Sequence, residues 1–420
     1  MTRRTLLATF AAAPVARSAI VGEPFLEDLS HRCFRFLWEQ ADPTTGLVMD
    51  RARTDGTREP RAANFATIAA TGFGLSGICI AAERKWISGR DAAARVRATL
   101  QAFDSKIENQ HGWFYHFLDG TTGERARKCE LSSIDTGLLL CGVLTARQYF
   151  HRDSEIVKLA TRIWERVDFE WMLNGSPNIL SHGWKPETGF LPARWAKTSE
   201  GILLYLLGIG SPTQPLPPES WYAWERQTVT YAGMTYVSGA PLFTHQYPQA
   251  WFDLRGLKDK APSSIDYFEN AKTATQANRA FCVDLAHEFP KSYSPEIWGL
   301  SASDGEHGYH AWGNPPKRDN IDGTVVPCAP GGSMMFLPDL CLADLRNMQA
   351  KFGDKIWGRY GFADAFNPTT DWVDADVLGI DQGITLLSTE NARTGNVWKW
   401  FMKNPEAKRA LDLAGFSRAR

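Results

Sequence analysis

Helical periodicity dominates the pattern of apolar and polar residues along the chain. Apolar residues recur at the spacing of an α-helix in about eleven segments, whereas the alternation typical of a β-strand is scarce. The pattern therefore predicts an all-α fold. The predicted helical segments are residues 24–41, 65–86, 91–107, 132–150, 154–173, 198–210, 242–253, 263–289, 336–353, 379–394 and 397–415.

The predicted helices are of two kinds. DAAARVRATLQAF and SEIVKLATRIWERV carry charges on one face and apolar residues on the other, whereas ATIAATGFGLSGI, IDTGLLLCGVL, EGILLYLLGIG and IDQGITLL are apolar or small on every side. The two kinds alternate where the order is clearest, which predicts hairpins that each supply one inner and one outer helix. About six such hairpins fit a closed helical toroid. A two-layered solenoid also fits, but the fixed repeat typical of solenoids is missing.

Long loops rich in glycine, proline and tryptophan separate several helices, as in WGLSASDGEHGYHAWGNPPKRDNIDGTVVPCAPGG. Loops longer than about 12 to 15 residues are uncommon in compact domains unless they bind something. No low-complexity tract or linker interrupts the chain. We therefore expect residues 21–420 to form a single domain.

The first 20 residues follow a pattern of their own. Arg3 and Arg4 precede a short, weakly apolar stretch and small residues at 16–19, an arrangement typical of a twin-arginine export signal. A frayed basic terminus is the alternative interpretation. No other stretch contains the roughly 18 uninterrupted apolar residues of a membrane span. We expect the mature protein to be periplasmic or secreted.

Charge and cysteine content narrow the possible partners. The 46 Lys and Arg residues and 47 Asp and Glu residues give a formal net charge of -1, so no global field attracts nucleic acid or an anionic membrane. The 7 cysteines lack paired CxxC spacing, which favours small buried side chains over a zinc site or a disulfide framework. One disulfide outside the cytoplasm stays open.

Motifs of several enzyme classes are absent. The sequence contains no GxxxxGK[ST], HExxH or GxSxG motif and no DxDxDG-like calcium loop. This disfavours a P-loop nucleotide hydrolase, a zincin metalloprotease, a hydrolase with a nucleophile elbow and a protein with a calcium-binding loop. His307 and His310 in GEHGYHAWG form the best local histidine pair, and a ligand-binding loop is favoured over a zinc site there. No metal or organic cofactor is expected.

Carboxylates stand at the entrances of three apolar helices. Asp135 precedes TGLLLCG, Glu200 precedes GILLYLLG and Asp381 precedes QGITLL, with Glu130 just upstream of the first. Parallel inner helices in a ring share one end, so these acids are expected to converge. For each acid alone, helix capping is the alternative. Together, a protonated and an ionised carboxylate beneath tryptophan-rich loops fit the hydrolysis of a glycosidic bond.

Long ordered stretches of the chain resemble the glycoamylase-like family, which includes the bacterial endo-β-1,2-glucanases of glycoside hydrolase family 144. These stretches are GWFYHFLDGTTGERARKCELSSIDTGLLLCGVL, TSEGILLYLLGIGSPTQPLP, PLFTHQYPQAWFDLRGLKD, WGLSASDGEHGYHAWG, DGTVVPCAPGGS and LGIDQGITLLSTENARTGNVWKWFMKNPE. The resemblance implies an (α/α)6 toroid over residues 21–420. It also implies a cofactor-free monomer that cleaves β-1,2-glucan to sophorose and short sophorooligosaccharides with inversion.

The resemblance also implies roles for individual residues. Glu200 in the TSE motif is the implied general acid and Asp381 in the GIDQG motif the implied general base. Glu130 and Asp135 are implied supporting carboxylates, although either could be the true acid. The implied substrate-binding residues are Arg51, Arg53, Trp184, Trp195, His245, Gln246, Asp304, Tyr309 and Trp312.

Two positions depart from the family pattern, and other functions stay open. Gly201 and Cys328 differ from the pattern, and the small Gly201 is expected to widen a subsite. An exo-acting or disaccharide-releasing hydrolase on another glucan is the alternative enzyme. A non-catalytic exported sugar-binding toroid is the alternative from a different class, and it would keep its affinity when Glu200 is replaced.

Overall fold

The computed structural model describes residue 20 and residues 22–58, 64–313 and 315–419. Most of the predicted export signal, residues 1–19, lies outside the described residues. Helices carry the described fold, as the sequence predicts. In chain order they are α1 (Pro24–Glu39), α2 (Ile68–Glu83), α3 (Gly89–Ser105), α4 (Ser133–Tyr149), α5 (Ser154–Glu165), α6 (Phe169–Met172), α7 (Ile202–Gly210), α8 (Phe243–Trp251), α9 (Tyr267–Leu285), α10 (Cys328–Gly332), α11 (Pro338–Phe352), α12 (Gly379–Arg393), α13 (Asn396–Phe401) and α14 (Pro405–Leu413).

Short strands connect the helices. They are β1 (Arg51–Arg53), β2 (Phe65–Thr67), β3 (Asn109–Gln110), β4 (Trp113–Phe114), β5 (Phe117–Asp119), β6 (Leu131–Ser132), β7 (Gly183–Lys185), β8 (Gly189–Phe190), β9 (Thr228–Tyr231), β10 (Met234–Val237), β11 (Leu257–Lys258), β12 (Ala302–Gly305), β13 (Gly308–Ala311), β14 (Trp357–Gly358), β15 (Gly361–Phe362), β16 (Phe366–Asn367), β17 (Trp372–Val373), β18 (Asp376–Leu378) and β19 (Ser417–Arg418).

The strands pair in small antiparallel ladders. Several ladders join neighbours in the chain, such as β12 with β13 and β7 with β8, and β6 adds to the latter pair from beyond three helices. The pair β1–β18 instead joins distant segments, with Arg51 opposite Leu378 and Arg53 opposite Asp376. This pair anchors the two arginines beside the start of α12.

The two predicted kinds of helix differ in burial. Every residue from Ile202 to Gly210 in α7 is buried, and so is every residue of α2 from Ile68 to Ala81. In α5 the buried residues recur at three- and four-residue spacing, from Ile156 to Trp164, because only one face meets the core. Apolar helices therefore form the interior, and amphipathic ones cover it.

The buried helices contact one another in a cyclic order. Helix α2 packs against α4, α4 against α7, α7 against α8, α8 against α10, α10 against α12, and α12 against α2. Outer helices pack on these, including α1 on α2, α5 on α4, α14 on α7, α9 on α8 and α11 on α10. The sequence does not predict the short α10, because Pro330, Gly331 and Gly332 are poor helix formers.

Helices α2 and α4 approach each other almost backbone to backbone. A Cβ added to Gly142 would lie 2.1 Å from the carbonyl oxygen of Gly72, and one added to Gly72 would lie 2.3 Å from that of Leu138. Only glycine fits at either position. Gly72, Gly74 and Gly77 also have GxGxxG spacing, but they lie inside a helix and lack the strand–turn–helix context of a dinucleotide site.

Cysteine burial agrees with the sequence interpretation. All of the cysteines, from Cys33 to Cys341, are buried and none is in a disulfide. They contribute to the core as small apolar side chains. Among the described helices, none has the length and apolarity needed to cross a membrane.

We predict that Gly142→Ala lowers the free energy of unfolding by about 1 to 3 kcal/mol, because the added methyl group forces α2 and α4 apart. Urea denaturation measures the change. The control is Gly89→Ala at the start of α3, where an added Cβ meets nothing within 4 Å. Equal stability of the two variants would contradict the close-contact explanation.

Candidate active site

A cavity of about 390 Å³ lies where three buried helices begin. Asp135 is in the first turn of α4 and Asp381 in the first turn of α12, while Glu200 lies in the turn just before α7. All three side chains line the cavity. The acids that the sequence places at separate helix entrances therefore share one site, of a size common for small-molecule ligands.

Glu200 has the environment of a proton donor. Gly201, not Glu200, is the N-cap of α7, and the half-buried side chain of Glu200 lines the cavity. Burial raises the pKa of Glu200 to about 7, and the negative charge of Asp135 adds to the increase. A carboxyl group that keeps its proton near neutral pH is suited to general acid catalysis.

Gly201 does not widen the cavity, contrary to the expectation from sequence. A Cβ at Gly201 would lie 2.8 Å from the indole ring of Trp195. The missing side chain at Gly201 therefore makes room for tryptophan packing beside Glu200, not for a larger ligand.

Asp381 sits in a deeper group of hydrogen-bonding side chains. It is 7% exposed, and its carboxylate is hydrogen-bonded to the Asp364 side chain and to the Cys328 thiol. Burial raises the pKa of Asp381, while these two hydrogen bonds oppose the increase. Burial and the charge of Asp381 raise the pKa of Asp364 well above its usual range. A hydrogen bond between two carboxyl groups requires a proton on one of them, so Asp364 and Asp381 share a proton.

His116 links the two remaining carboxylates. Its Nδ1 lies 3.1 Å from Glu130 Oε1 and its Nε2 lies 3.6 Å from Asp135 Oδ2. Burial alone would lower the pKa of His116, but the charges of Asp135 and Glu130 outweigh burial and raise the pKa to about 9. The hydrogen bond from His116 in turn lowers the pKa of Glu130 to about 2. Glu130 does not line the cavity and reaches it through the His116 cation.

Capping and site chemistry coexist at Asp135. Ser132 Oγ accepts the backbone N–H of Asp135 at 3.2 Å and donates to Asp135 Oδ2 at 2.5 Å. The capping interpretation therefore holds for α4, yet the same carboxylate faces the cavity. The helix start fixes the position from which this charge acts on Glu200.

Arg51 forms ion pairs with two further acids at the cavity. Arg51 Nη1 lies 2.5 Å from Asp304 Oδ2, and Arg51 Nε lies 3.1 Å from Asp50 Oδ2. Arg51 lines the cavity, whereas Arg53 pairs with Asp376 at 2.9 Å behind it. Asp304 does not line the cavity and is connected to it by its ion pair with Arg51.

One group of described carboxylates has metal-ligand spacing. Oxygen atoms of Asp304, Asp364 and Asp374 lie within 4.8 Å of one another. Burial raises the pKa of Asp374 to about 7. Within this group, Arg51 already forms an ion pair with Asp304, and Asp364 is hydrogen-bonded to Asp381.

Aromatic side chains complete the cavity wall. Tyr309 on β13 lines it and remains 56% exposed, which leaves its ring free to face a ligand. Phe117, Phe243 and Tyr247 also line the cavity. Flat aromatic faces of this kind pack well against the CH faces of sugar rings.

The predicted tryptophans do not line the cavity. Trp195 donates from Nε1 to Ser133 Oγ at 2.8 Å, and Trp312 donates from Nε1 to Ser303 Oγ at 2.7 Å. Trp184 packs 5.8 Å from the ring of Trp171. Trp195 and Trp312 are buried and have local acceptors for their indole N–H groups, and a role of the three tryptophans in sugar binding stays a prediction from the sequence.

His245 and Gln246 form hydrogen bonds within the protein. His245 Nε2 accepts the backbone N–H of Gly239 at 3.2 Å, and burial lowers the pKa of His245 to about 4. Gln246 donates to the Ala329 carbonyl at 2.9 Å and to Ser333 Oγ at 2.8 Å. Neither side chain lines the cavity.

Sequence reasoning missed His116, Asp364, Asp50 and Tyr247. His116 lies in GWFYHFLDG and Asp364 in GFADAF, where no helical periodicity marks either residue. The only available signal for His116 was its place inside one of the stretches that resemble the family.

Comparisons with known proteins agree on one group. The glycoamylase family model, described as "Putative glucoamylase", matches residues 192–405, about half of the chain. An exo β-1,2-glucooligosaccharide sophorohydrolase (non-reducing end) from Parabacteroides distasonis is 29% identical over 428 residues. That match covers 93% of this chain and 57% of the relative, so the chain spans little more than half the length of this relative.

Two solved structures are similar over nearly the whole chain. The endo-β-1,2-glucanase from Chitinophaga pinensis, in complex with sophorotriose and glucose, has a TM-score of 0.85 and 29% identity, covering 96% of this chain and 99% of that one. The β-1,2-glucanase from Parabacteroides distasonis has a TM-score of 0.83 and 27% identity, covering 96% and 60%.

We predict that Asp135→Asn lowers the pKa of Glu200 below about 7, because the charge of Asp135 contributes to the increase. NMR of protein labelled with ¹³C at the glutamate carboxyl groups measures the titration. Asp412→Asn, an exposed change on α14, serves as the control. An unchanged Glu200 titration in Asp135→Asn would contradict the charge coupling.

Proposed function

The chain belongs to the glycoamylase family, and we propose that it is a glycoside hydrolase that cleaves β-1,2-glucan to sophorose and short sophorooligosaccharides with inversion. One observation carries the proposal: Glu200, with a pKa of about 7, and a second carboxyl group, that of Asp381, line the same cavity. The choice of β-1,2-glucan is supported by 29% identity to two proteins named for action on that linkage.

We propose that the fold is an (α/α)6 toroid formed by residues 21–420 as one catalytic domain. The cyclic contacts of α2, α4, α7, α8, α10 and α12, and the outer helices that pack on them, support it. Export, with residues 1–20 as a twin-arginine signal and a periplasmic or secreted mature protein, stays a prediction from the sequence.

In the proposed mechanism Glu200 donates its proton to the glycosidic oxygen as the C–O bond breaks. Asp381 accepts a proton from the water that attacks the anomeric carbon from the opposite face, which inverts the configuration. Glu200 leaves the step ionised and Asp381 leaves it protonated, so solvent restores both groups. The charge of Asp135, held by His116, favours the protonated form of Glu200 before the step.

In this proposal Tyr309, Arg51 and Asp135 bind the sugar. Tyr309 offers an exposed ring on which a glucose unit can stack. Arg51 and Asp135 offer donors and acceptors to its hydroxyl groups. Binding of this kind requires no charge on the substrate, which agrees with a neutral glucan.

Exo action is the second candidate, because one relative at 29% identity is named as an exo sophorohydrolase and another as an endo-glucanase. The products distinguish them. An endo enzyme gives a ladder of sophorooligosaccharides early in the reaction, whereas an exo enzyme gives sophorose from the first time point.

We predict that Glu200→Gln lowers kcat on linear β-1,2-glucan by about 10² to 10⁴-fold, because glutamine cannot donate the proton that a general acid supplies. Chromatography of products over time measures the rate and the cleavage mode. Glu225→Gln, an exposed glutamate nearby in the sequence, is the control. Bound sugar without turnover in the wild type would favour the non-catalytic sugar-binding alternative.

We also predict that kcat/KM falls as the pH rises through about 7. Glu200 must be protonated to act, and its pKa is about 7, so the active fraction decreases above that value. A pH profile of kcat/KM measures the alkaline limb, which should move to lower pH in Asp135→Asn. Constant activity up to about pH 9 would contradict Glu200 as the acid.

A further inference from the structure

Asp364 lies directly behind the candidate base. It follows β15 and is 3% exposed. The backbone holds it on both sides: its N–H donates to the Asp376 carbonyl at 3.0 Å, and its Oδ2 accepts the N–H of Asp304 at 2.7 Å. Its position relative to β18, and so to the start of α12, is therefore fixed.

The second carboxyl oxygen of Asp364 has no amide or hydroxyl donor in the part of the chain that the structure describes. Oδ1 is buried and finds no N–H or hydroxyl donor among the described residues, and the remaining hydrogen bond of this side chain is with Asp381. Both residues also line one small cavity of about 20 Å³. The two carboxyl groups are thus each other's neighbour in a site that excludes bulk water.

Two carboxyl groups can form a hydrogen bond only if one of them carries a proton, because ionised carboxylates are acceptors only. Adjacent buried carboxylates cannot both be charged without strong repulsion, so the pair keeps one proton near neutral pH. Asp381 also accepts the Cys328 thiol and borders the main cavity. Asp364 accepts the backbone N–H of Asp304, but it accepts no thiol and does not line the main cavity, so we place the proton on Asp364.

We propose that Asp364 is a positioning residue that stays protonated at neutral pH and donates a hydrogen bond to Asp381, which keeps Asp381 ionised and aimed into the cavity. The inference rests on the proposed function, in which Asp381 is the base. When Asp381 accepts the proton of the attacking water, Asp364 keeps its own. The pair then holds two protons and releases one to solvent before the next cycle.

The test compares two replacements of Asp364. Asparagine is uncharged and its amide group still donates a hydrogen bond, so Asp364→Asn should lower kcat on β-1,2-glucan only about threefold. Alanine removes the donor, so Asp364→Ala should lower kcat by about 100-fold, with little change in KM. The acid limb of its pH profile should move to higher pH, because Asp381 loses a hydrogen bond to its charged form.

Asp344→Asn is the matched control. Asp344 is 1% exposed, accepts the backbone N–H of Trp298 at 3.2 Å and lies outside the cavity lining. Its replacement should keep kcat and the acid limb, whatever it does to thermal stability. Circular dichroism of every variant establishes that each one folds.

Equal losses of kcat in Asp364→Asn and Asp364→Ala would overturn the proposal, because they would mean that Asp364 acts as an anion. Infrared difference spectra at neutral pH decide the same question without turnover. Asp364→Asn should lose the band of a protonated carboxyl group, and loss of a carboxylate band instead would refute it. If the wild type cleaves no β-1,2-glucan, the proposed function fails, while the infrared result still decides the protonation of Asp364.

Discussion

Burial of acidic side chains at the entrances of apolar helices is the constraint on which the site depends. Glu200 and Asp381 stand where α7 and α12 begin, and these helices are buried along almost their whole length. Carboxylates removed from water hold their protons more tightly unless a partner stabilises the charge. The partner that each acid receives therefore decides whether it is a donor or an acceptor of protons.

The two sides of the cavity use different partners for this purpose. On one side, the hydrogen bond from His116 lowers the pKa of Glu130, and the charge of Asp135 favours a protonated Glu200. On the other side, Asp364 takes the proton so that Asp381 keeps the charge. Two carboxyl groups with opposite protonation can thus face one bond near neutral pH, as inverting hydrolysis requires.

Close helix packing and small strand pairs hold these groups in place. Gly72 and Gly142 let α2 and α4 meet at backbone distance, so the start of α4 is rigidly set. The β1–β18 pair brings Arg51 beside the start of α12 although the two are far apart in sequence. The site is therefore assembled by contacts between segments, while each acid is presented by its own helix.

The sequence by itself determined the helices, their inner or outer character and the acids at their starts, because these follow from local periodicity and capping. Only the tertiary structure decided which side chains contact each acid. Asp364 and His116 lie in irregular segments without a period, and nothing local indicates what they contact. Trp195 lies outside the cavity lining for the same reason, because its indole N–H meets Ser133, which is 62 residues away in the sequence.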